Sequence, residues 1–305
     1  MPEVLDYSAC PIEELGYRPK INRLRTPRFG LEIEMRGWNE DAHLDANRAW
    51  SRVANLTDTY TSGYCIAADD SSICGDNPAE LKTVPLTKWD HALFHLEMAG
   101  RPFTGRSYSE MRKAYANPLS RAFFPDGTAW MARSCGIHIT VSEGIASELT
   151  WNKLLVWLNC HKAIIEGRAK VLFLRDSNSF CTVLNDCRIG DYTRARNCDW
   201  GGDRAIPGVD KYSVLRVKPD VELCEFRGFR SSLNARTIMR NIEVVESLLL
   251  FMADMPVHFL PVSGLHDYGR WLRFNEGKFP FLTAWVRKRA ADSPLRRGFL
   301  SPAQE

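Results

Sequence analysis

The stretch RFGLEIEMRG, residues 28 to 37, sets Glu32 and Glu34 inside an otherwise apolar segment. Side chains of a strand alternate between faces, so Phe29, Leu31, Ile33 and Met35 form one apolar face while Gly30, Glu32, Glu34 and Arg36 share the other. The pattern predicts an amphipathic antiparallel strand over 29–36. Carboxylates on such a strand either face water or gather around a charged ligand.

The same alternation recurs along the chain. In GIHITVS, residues 136 to 142, Ile137, Ile139 and Val141 face one way and His138 and Thr140 the other. In ELCEFRGF, 222 to 229, Glu225 and Arg227 share a face, and a further carboxylate, Glu80, lies in a strand-like segment at 79–84. The segments 211–217 and 222–229 flank KPD, a proline-containing turn, and read as a hairpin.

Between these strands several helices are expected. TKWDHALFHLEMAG opens with a capping-box pattern from Thr87 to Asp90, sets Trp89, Leu93 and Leu96 on one stripe, and stops at Gly100. WNKLLVWLNCHKAII carries Trp151, Leu154, Leu155, Leu158 and Ile165 on one face. IMRNIEVVESLLLFM does the same with Ile238, Ile242, Val245, Leu249 and Met252, and a weaker pattern covers 45–56 through Ala46, Trp50 and Val53. These stripes are core-facing. Paired strands with helices between them predict an α+β fold with a largely antiparallel sheet.

Two carboxylates at i and i+2 lie about 6 to 7 Å apart along a strand, close enough for flexible side chains to share or flank divalent cations. Gathered on one sheet, Glu32, Glu34, Glu80 and Glu225, with His138 as a nitrogen donor, would form a multi-metal platform. Taken singly, each has a plainer role: a lone strand histidine that is hydrogen-bonded, a glutamate in water, or Glu225 and Arg227 in a ladder of surface ion pairs.

Composition narrows the function classes. The 305 residues are 45% hydrophobic and 25% charged, a globular composition rather than a disordered one. A net charge of +3, with 40 basic residues interspersed among 37 acidic ones, gives no field that implies nucleic acid or membrane as a partner. The longest apolar run, LLLFMA at 248 to 253, is far too short to span a bilayer. Nine cysteines without a CxxC pair suggest reduced thiols and a cytoplasmic protein rather than a disulfide framework or a zinc ribbon. Residues 1–27, rich in proline and charge, read as an N-terminal arm; 28–286 as one continuous domain; and 287–305 as a basic C-terminal tail.

Five segments, FGLEIEM, DDSSICGDNPAELKT, SCGIHIT, LRDSNSFC and KYSVLRVKPDVELCEFRGFRSSLN, occur in an order and context that resembles the amidoligase family. That family is part of the carboxylate–amine ligase superfamily, which includes glutamine synthetase and glutamate–cysteine ligase. The resemblance runs over roughly residues 28 to 250. It implies a glutamine synthetase-like catalytic domain, with a curved antiparallel sheet and helices on one face. It also implies Glu32, Glu34, Glu80, His138 and Glu225 as metal ligands, Arg227 as the cation facing the transferred phosphoryl group, and Arg175 as a family arginine near the nucleotide. Thr140 stands where the family usually has a second histidine, at a nucleotide contact, and DDSS at 69–72 replaces the common Asp-Gly-Ser, so Asp70 has no assigned role.

The implied activity is ATP-dependent amide formation with Mg²⁺ or Mn²⁺. ATP phosphorylates a carboxylate, and an amine of a small molecule or peptide attacks the acyl phosphate. Arg194, Arg196 and Arg204, in DYTRARNCDWGGDRAIPG, are candidates to complete the phosphate cradle or are simply solvated loop arginines, in a loop whose glycines suit a lid. A binding protein without turnover, or a metal-dependent hydrolase, would use the same residues. Some relatives form rings, but no subunit interface is marked by the periodicity here.

Overall fold

The computed structural model describes residues 28–38, 65–69, 93–100, 103–104, 129–130, 136–159, 172–173, 188–196, 213–218, 223–232, 234–289 and 293–301. These fall into two compact units. One holds 28–139 and 229–239; the other holds 140–228 and the chain from 240 onward.

The first unit is built on β1, Arg28–Trp38. β2 (Cys65–Asp69), β3 (Leu93–Gly100), β4 (Phe103–Thr104) and β5 (Ala129–Trp130) follow, and β6 (Gly136–Ser142) begins here and continues into the second unit. The strand order is β2-β3-β1-β6, with β4 and β5 also paired to β1. β1 and β3 run antiparallel, with Glu32 opposite Ala99 and Glu34 opposite Glu97. β2 pairs with the other edge of β3, Cys65 opposite Gly100. The apolar face expected of β1 is buried: Phe29, Leu31 and Ile33 are all 1% exposed or less.

β3 corrects one expectation. Residues 93–100 lie in the span expected to be a helix from Thr87 to Gly100, and they form a strand. The segment carries both periods, since Phe94, Leu96 and Met98 also recur every second residue. Pairing with β1 over seven residues and with β2 over five satisfies the backbone in the extended form, and tertiary pairing outweighs local helix preference. The helix expected at 45–56 and the strand expected at 79–84 lie outside the described residues.

The second unit contains the hairpin of β7 (Leu215–Lys218) and β8 (Leu223–Arg230), whose last two residues belong to the first unit. The expected hairpin around KPD is present, antiparallel, with Arg216 opposite Glu225 and Lys218 opposite Leu223. Leu215, Val217, Cys224 and Phe226 are fully buried on its inner face. Gly228 is packed so closely that an added methyl would lie 2.8 Å from the Phe173 ring.

Helices supply the rest of this unit's core: α1 (Glu148–Asn159), α2 (Asp191–Arg196), α3 (Ala235–Asp254, from Arg240 onward), α4 (Leu265–Phe274), α5 (Pro280–Lys288) and α6 (Pro294–Leu300). The stripes expected of α1 and α3 are buried at Trp151, Leu154, Leu155, Leu158, Ile242, Val245, Leu249 and Met252. Trp157 of α1 donates to Ser263 Oγ at 3.0 Å and meets Tyr268 of α4 edge-on, with centroids 6.0 Å apart. The Glu243 carboxylate of α3 accepts the Leu282 N–H at 2.7 Å, satisfying a backbone donor in the first turn of α5. α6 falls in the span expected to be a basic tail, yet Leu295 and Phe299, one helical turn apart, are buried. No helix among the described residues is long and apolar enough to cross a membrane.

Lys153 is a buried cation on α1. Its ammonium donates to the Met255 carbonyl at 2.6 Å, just past the end of α3. Burial lowers its pKa from 10.5 to about 8, and the Asp254 carboxylate opposes the shift. Between those two values the unfolded chain holds a proton that the folded chain has released, so this group's contribution to stability rises with pH from about 8 to 10.5. The wild type is therefore expected to gain urea resistance relative to Lys153→Met as pH rises through that window. Parallel denaturation midpoints at pH 7.5 and pH 10 would contradict this assignment.

Candidate functional site

Alternation places Glu32 and Glu34 on the same face of β1, and β6 lies beside it in the strand order. His138 on β6 is 1% exposed and sits between the two glutamates. Its Nδ1 is 3.1 Å from Glu32 Oε2, and its Nε2 is 3.0 Å from Glu34 Oε1. The three are unequal in environment: the Glu34 side chain is 5% exposed and that of Glu32 is 22% exposed. Glu34 is the deeper carboxylate and Glu32 the one that solvent reaches.

Backbone and hydroxyl groups fix the deeper carboxylate. The Gly136 N–H donates to Glu34 Oε2 in a short hydrogen bond, and the Ser231 hydroxyl donates to the Glu34 backbone carbonyl at 2.7 Å. A carboxylate held by a main-chain donor on one oxygen and facing an imidazole with the other has little rotational freedom. It fixes the histidine ring in turn.

An imidazole between two carboxylates is an unusual electrostatic arrangement. A neutral ring donates from one nitrogen and turns a lone pair toward the other carboxylate, which is repulsive. Protonation of the ring removes the conflict, and so does a cation shared by one nitrogen and its carboxylate while the other nitrogen donates to the remaining one. The second case is the carboxylate–histidine–metal arrangement that orients many ligating imidazoles. A carboxylate oxygen with an imidazole nitrogen suits Mn²⁺ or Mg²⁺, so the residues present fit a divalent ion.

Glu225 lies on β8, in the part of the strand assigned to the second unit. It is fully buried on β8. Arg227 NH1 lies 2.9 Å from its Oε1, Lys218 Nζ lies 2.8 Å from its Oε2, and Arg216 NH1 lies 3.6 Å from Oε2. All four side chains share the face of the β7–β8 hairpin opposite Leu215 and Val217, because 216 and 218 alternate with 215 and 217. Arg227 is the arginine the sequence singled out, and its partner here is the glutamate two residues before it.

Behind the hairpin, Tyr192 of α2 is buried and donates to Glu143 Oε1 in a short hydrogen bond, with Cys224 Sγ 3.6 Å from its hydroxyl. Burial pushes the Tyr192 phenol far above its ordinary pKa, reinforced by Cys224 and Glu143, so it remains a donor. Its ring stacks on Trp151 at 5.8 Å, and the Trp151 indole donates to the Glu143 carbonyl at 2.8 Å. Asn152 accepts the Gly190 N–H at 2.7 Å and donates to Thr193 Oγ1 at 3.0 Å. Gly190 has φ 100°, where a residue with a Cβ is strained. The start of the segment expected to be a lid is therefore a helical turn fastened to α1.

Within the first unit Glu32 and Glu34 flank His138, and within the second Glu225 pairs with Arg227. Thr140 lies on β6, partly exposed. Arg194 and Arg196 lie on α2, where only the backbone is described. Glu80, Asp70, Arg175 and Arg204 lie outside the described residues. Sequence reasoning passed over Gly136, Ser231, Arg216 and Lys218. The last two carry a legible signal, since strand alternation already aligns them with Glu225 across the hairpin. No family model matches the chain, and no curated protein matches it.

Proposed function

We propose that the chain is an ATP-dependent carboxylate–amine ligase on a glutamine synthetase-like sheet, with its divalent-metal site on β1 and β6. The observation that carries this reading is His138 held within 3.1 Å of Glu32 and 3.0 Å of Glu34. The five ordered segments that resemble the amidoligase family add the reaction class. The nine cysteines without a CxxC pair favour a cytosolic setting for it.

Glu32 and His138 Nδ1 would hold the ion at the more exposed side of the cluster, and Glu34 would keep the ring oriented through Nε2. A dication bound there offsets charge on phosphate oxygens. A carboxylate is a poor electrophile, so its oxygen first attacks the γ-phosphorus of ATP and ADP leaves. The amine then attacks the acyl carbon, phosphate leaves, and the nitrogen loses a proton to give the amide. Arg227 supplies positive charge beside the transferred group, and Glu225 holds that guanidinium in place. No protein nucleophile takes part.

The test is to incubate the protein with ATP, Mn²⁺ or Mg²⁺, and a panel of amino acids and amines. ADP and phosphate are expected only when both an acceptor carboxylate and a donor amine are present. Metal-dependent hydrolysis of amides without ATP would replace the ligase by a hydrolase.

A further inference from the structure

We infer that Arg216 is the anion-binding residue of the β7–β8 hairpin, taking a phosphate group of a polyphosphate ligand while Glu225, Lys218 and Arg227 form the ionic base beneath it. The assignment comes from how the cations share one carboxylate. Lys218 engages Glu225 Oε2 at 2.8 Å and Arg227 engages Oε1 at 2.9 Å. Arg216 stands off at 3.6 Å, although it lies directly opposite Glu225 in the ladder. Its Nε is buried and has no hydrogen-bond partner among the described residues.

Glu225 is fully buried, whereas the Arg216 side chain is 24% exposed, the most accessible of the four. A guanidinium has five donors in a planar fork. At Arg216 that fork stands 3.6 Å from Glu225 Oε2, and the side chain is still partly accessible. Arginine in this condition suits phosphate, which accepts two parallel N–H donors. Lys218 and Arg227 nearby keep the local potential positive, which favours a polyanion over a single carboxylate. The inference goes beyond the ligase reading and does not require amide formation.

Calorimetric titration of the full chain with inorganic tripolyphosphate, and separately with succinate, tests it without metal or turnover. The wild type is expected to bind tripolyphosphate, Arg216→Gln to bind it at least about tenfold more weakly, and succinate to bind much more weakly to both. Arg216→Lys keeps the charge and loses the fork, so an intermediate affinity is expected; it also serves if the glutamine variant does not fold. Equal affinity in wild type and both variants, no binding by wild type, or Arg216-dependent binding of succinate alone would overturn the assignment. If tripolyphosphate binds through Arg216 but no amine and carboxylate pair consumes ATP, the ligase reading fails and this one stands.

Discussion

His138→Ala is expected to cost on the order of 3 kcal/mol of folding stability at neutral pH. The ring contributes to both edges of the cluster, facing Glu32 at 3.1 Å and Glu34 at 3.0 Å from a position 1% exposed. Alanine removes the group that separates the two carboxylates and leaves a cavity lined by polar atoms. His138→Gln, which returns an amide donor to one glutamate, is expected to recover part of the loss. Chemical denaturation of the three proteins at pH 5 and pH 7.5 measures this. An alanine variant as stable as wild type at both pH values would show that the cluster is not a stabilising ionic unit.

The second large effect is expected far from the site. Gly298→Ala in α6 should destabilise the protein by on the order of 3 kcal/mol. A methyl group at Gly298 would overlap the His266 carbonyl oxygen and come within 2.9 Å of the His266 Cα. On the facing helix a methyl at Gly269 would overlap the Leu295 carbonyl oxygen and lie 2.9 Å from the Phe299 nitrogen. In both cases the obstacle is backbone, which cannot swing aside as a side chain can. α4 and α6 meet at near backbone contact because each presents glycine at the crossing. Gly277, where an added methyl meets nothing within 4 Å, is the control, and Gly277→Ala should leave the denaturation midpoint nearly unchanged. A Gly298→Ala protein as stable as Gly277→Ala would mean that α4 and α6 separate at little cost.

Much of the fold near the site was legible because strand alternation is written in adjacent residues. Leu31 and Ile33 on β1 and Ile137 and Ile139 on β6 fall on buried faces by counting in twos. The depth of Glu34 was not legible. It depends on Gly136 and His138, about a hundred residues away, closing over a carboxylate that the local pattern leaves equally suited to water. β3 was misread for a related reason: HALFHLEMAG supports a helical stripe and a strand face alike, and only pairing with β1 and β2 decides between them. At the C-terminal end the charges of RKR and RR hid Leu295 and Phe299. Their burial depends on Gly269 and Gly298, whose lack of a side chain carries no hydrophobic signal.

Glu225 shows what a motif leaves unsaid. As part of Glu-Phe-Arg it is expected to bind metal, and the structure adds Arg227 and Lys218 as neighbours of its two oxygens. The metal reading concerns Glu32, Glu34, His138 and Glu225, and its β1–β6 part can be tested alone. The most direct test is Mn²⁺ binding to the whole protein, followed by the loss of the free-ion electron paramagnetic resonance signal. One saturable site is expected in the wild type, with affinity at least about tenfold weaker in Glu32→Gln and in His138→Gln. Wild-type protein that leaves the Mn²⁺ signal unchanged, or variants that bind as tightly as wild type, would contradict a metal centre on β1 and β6.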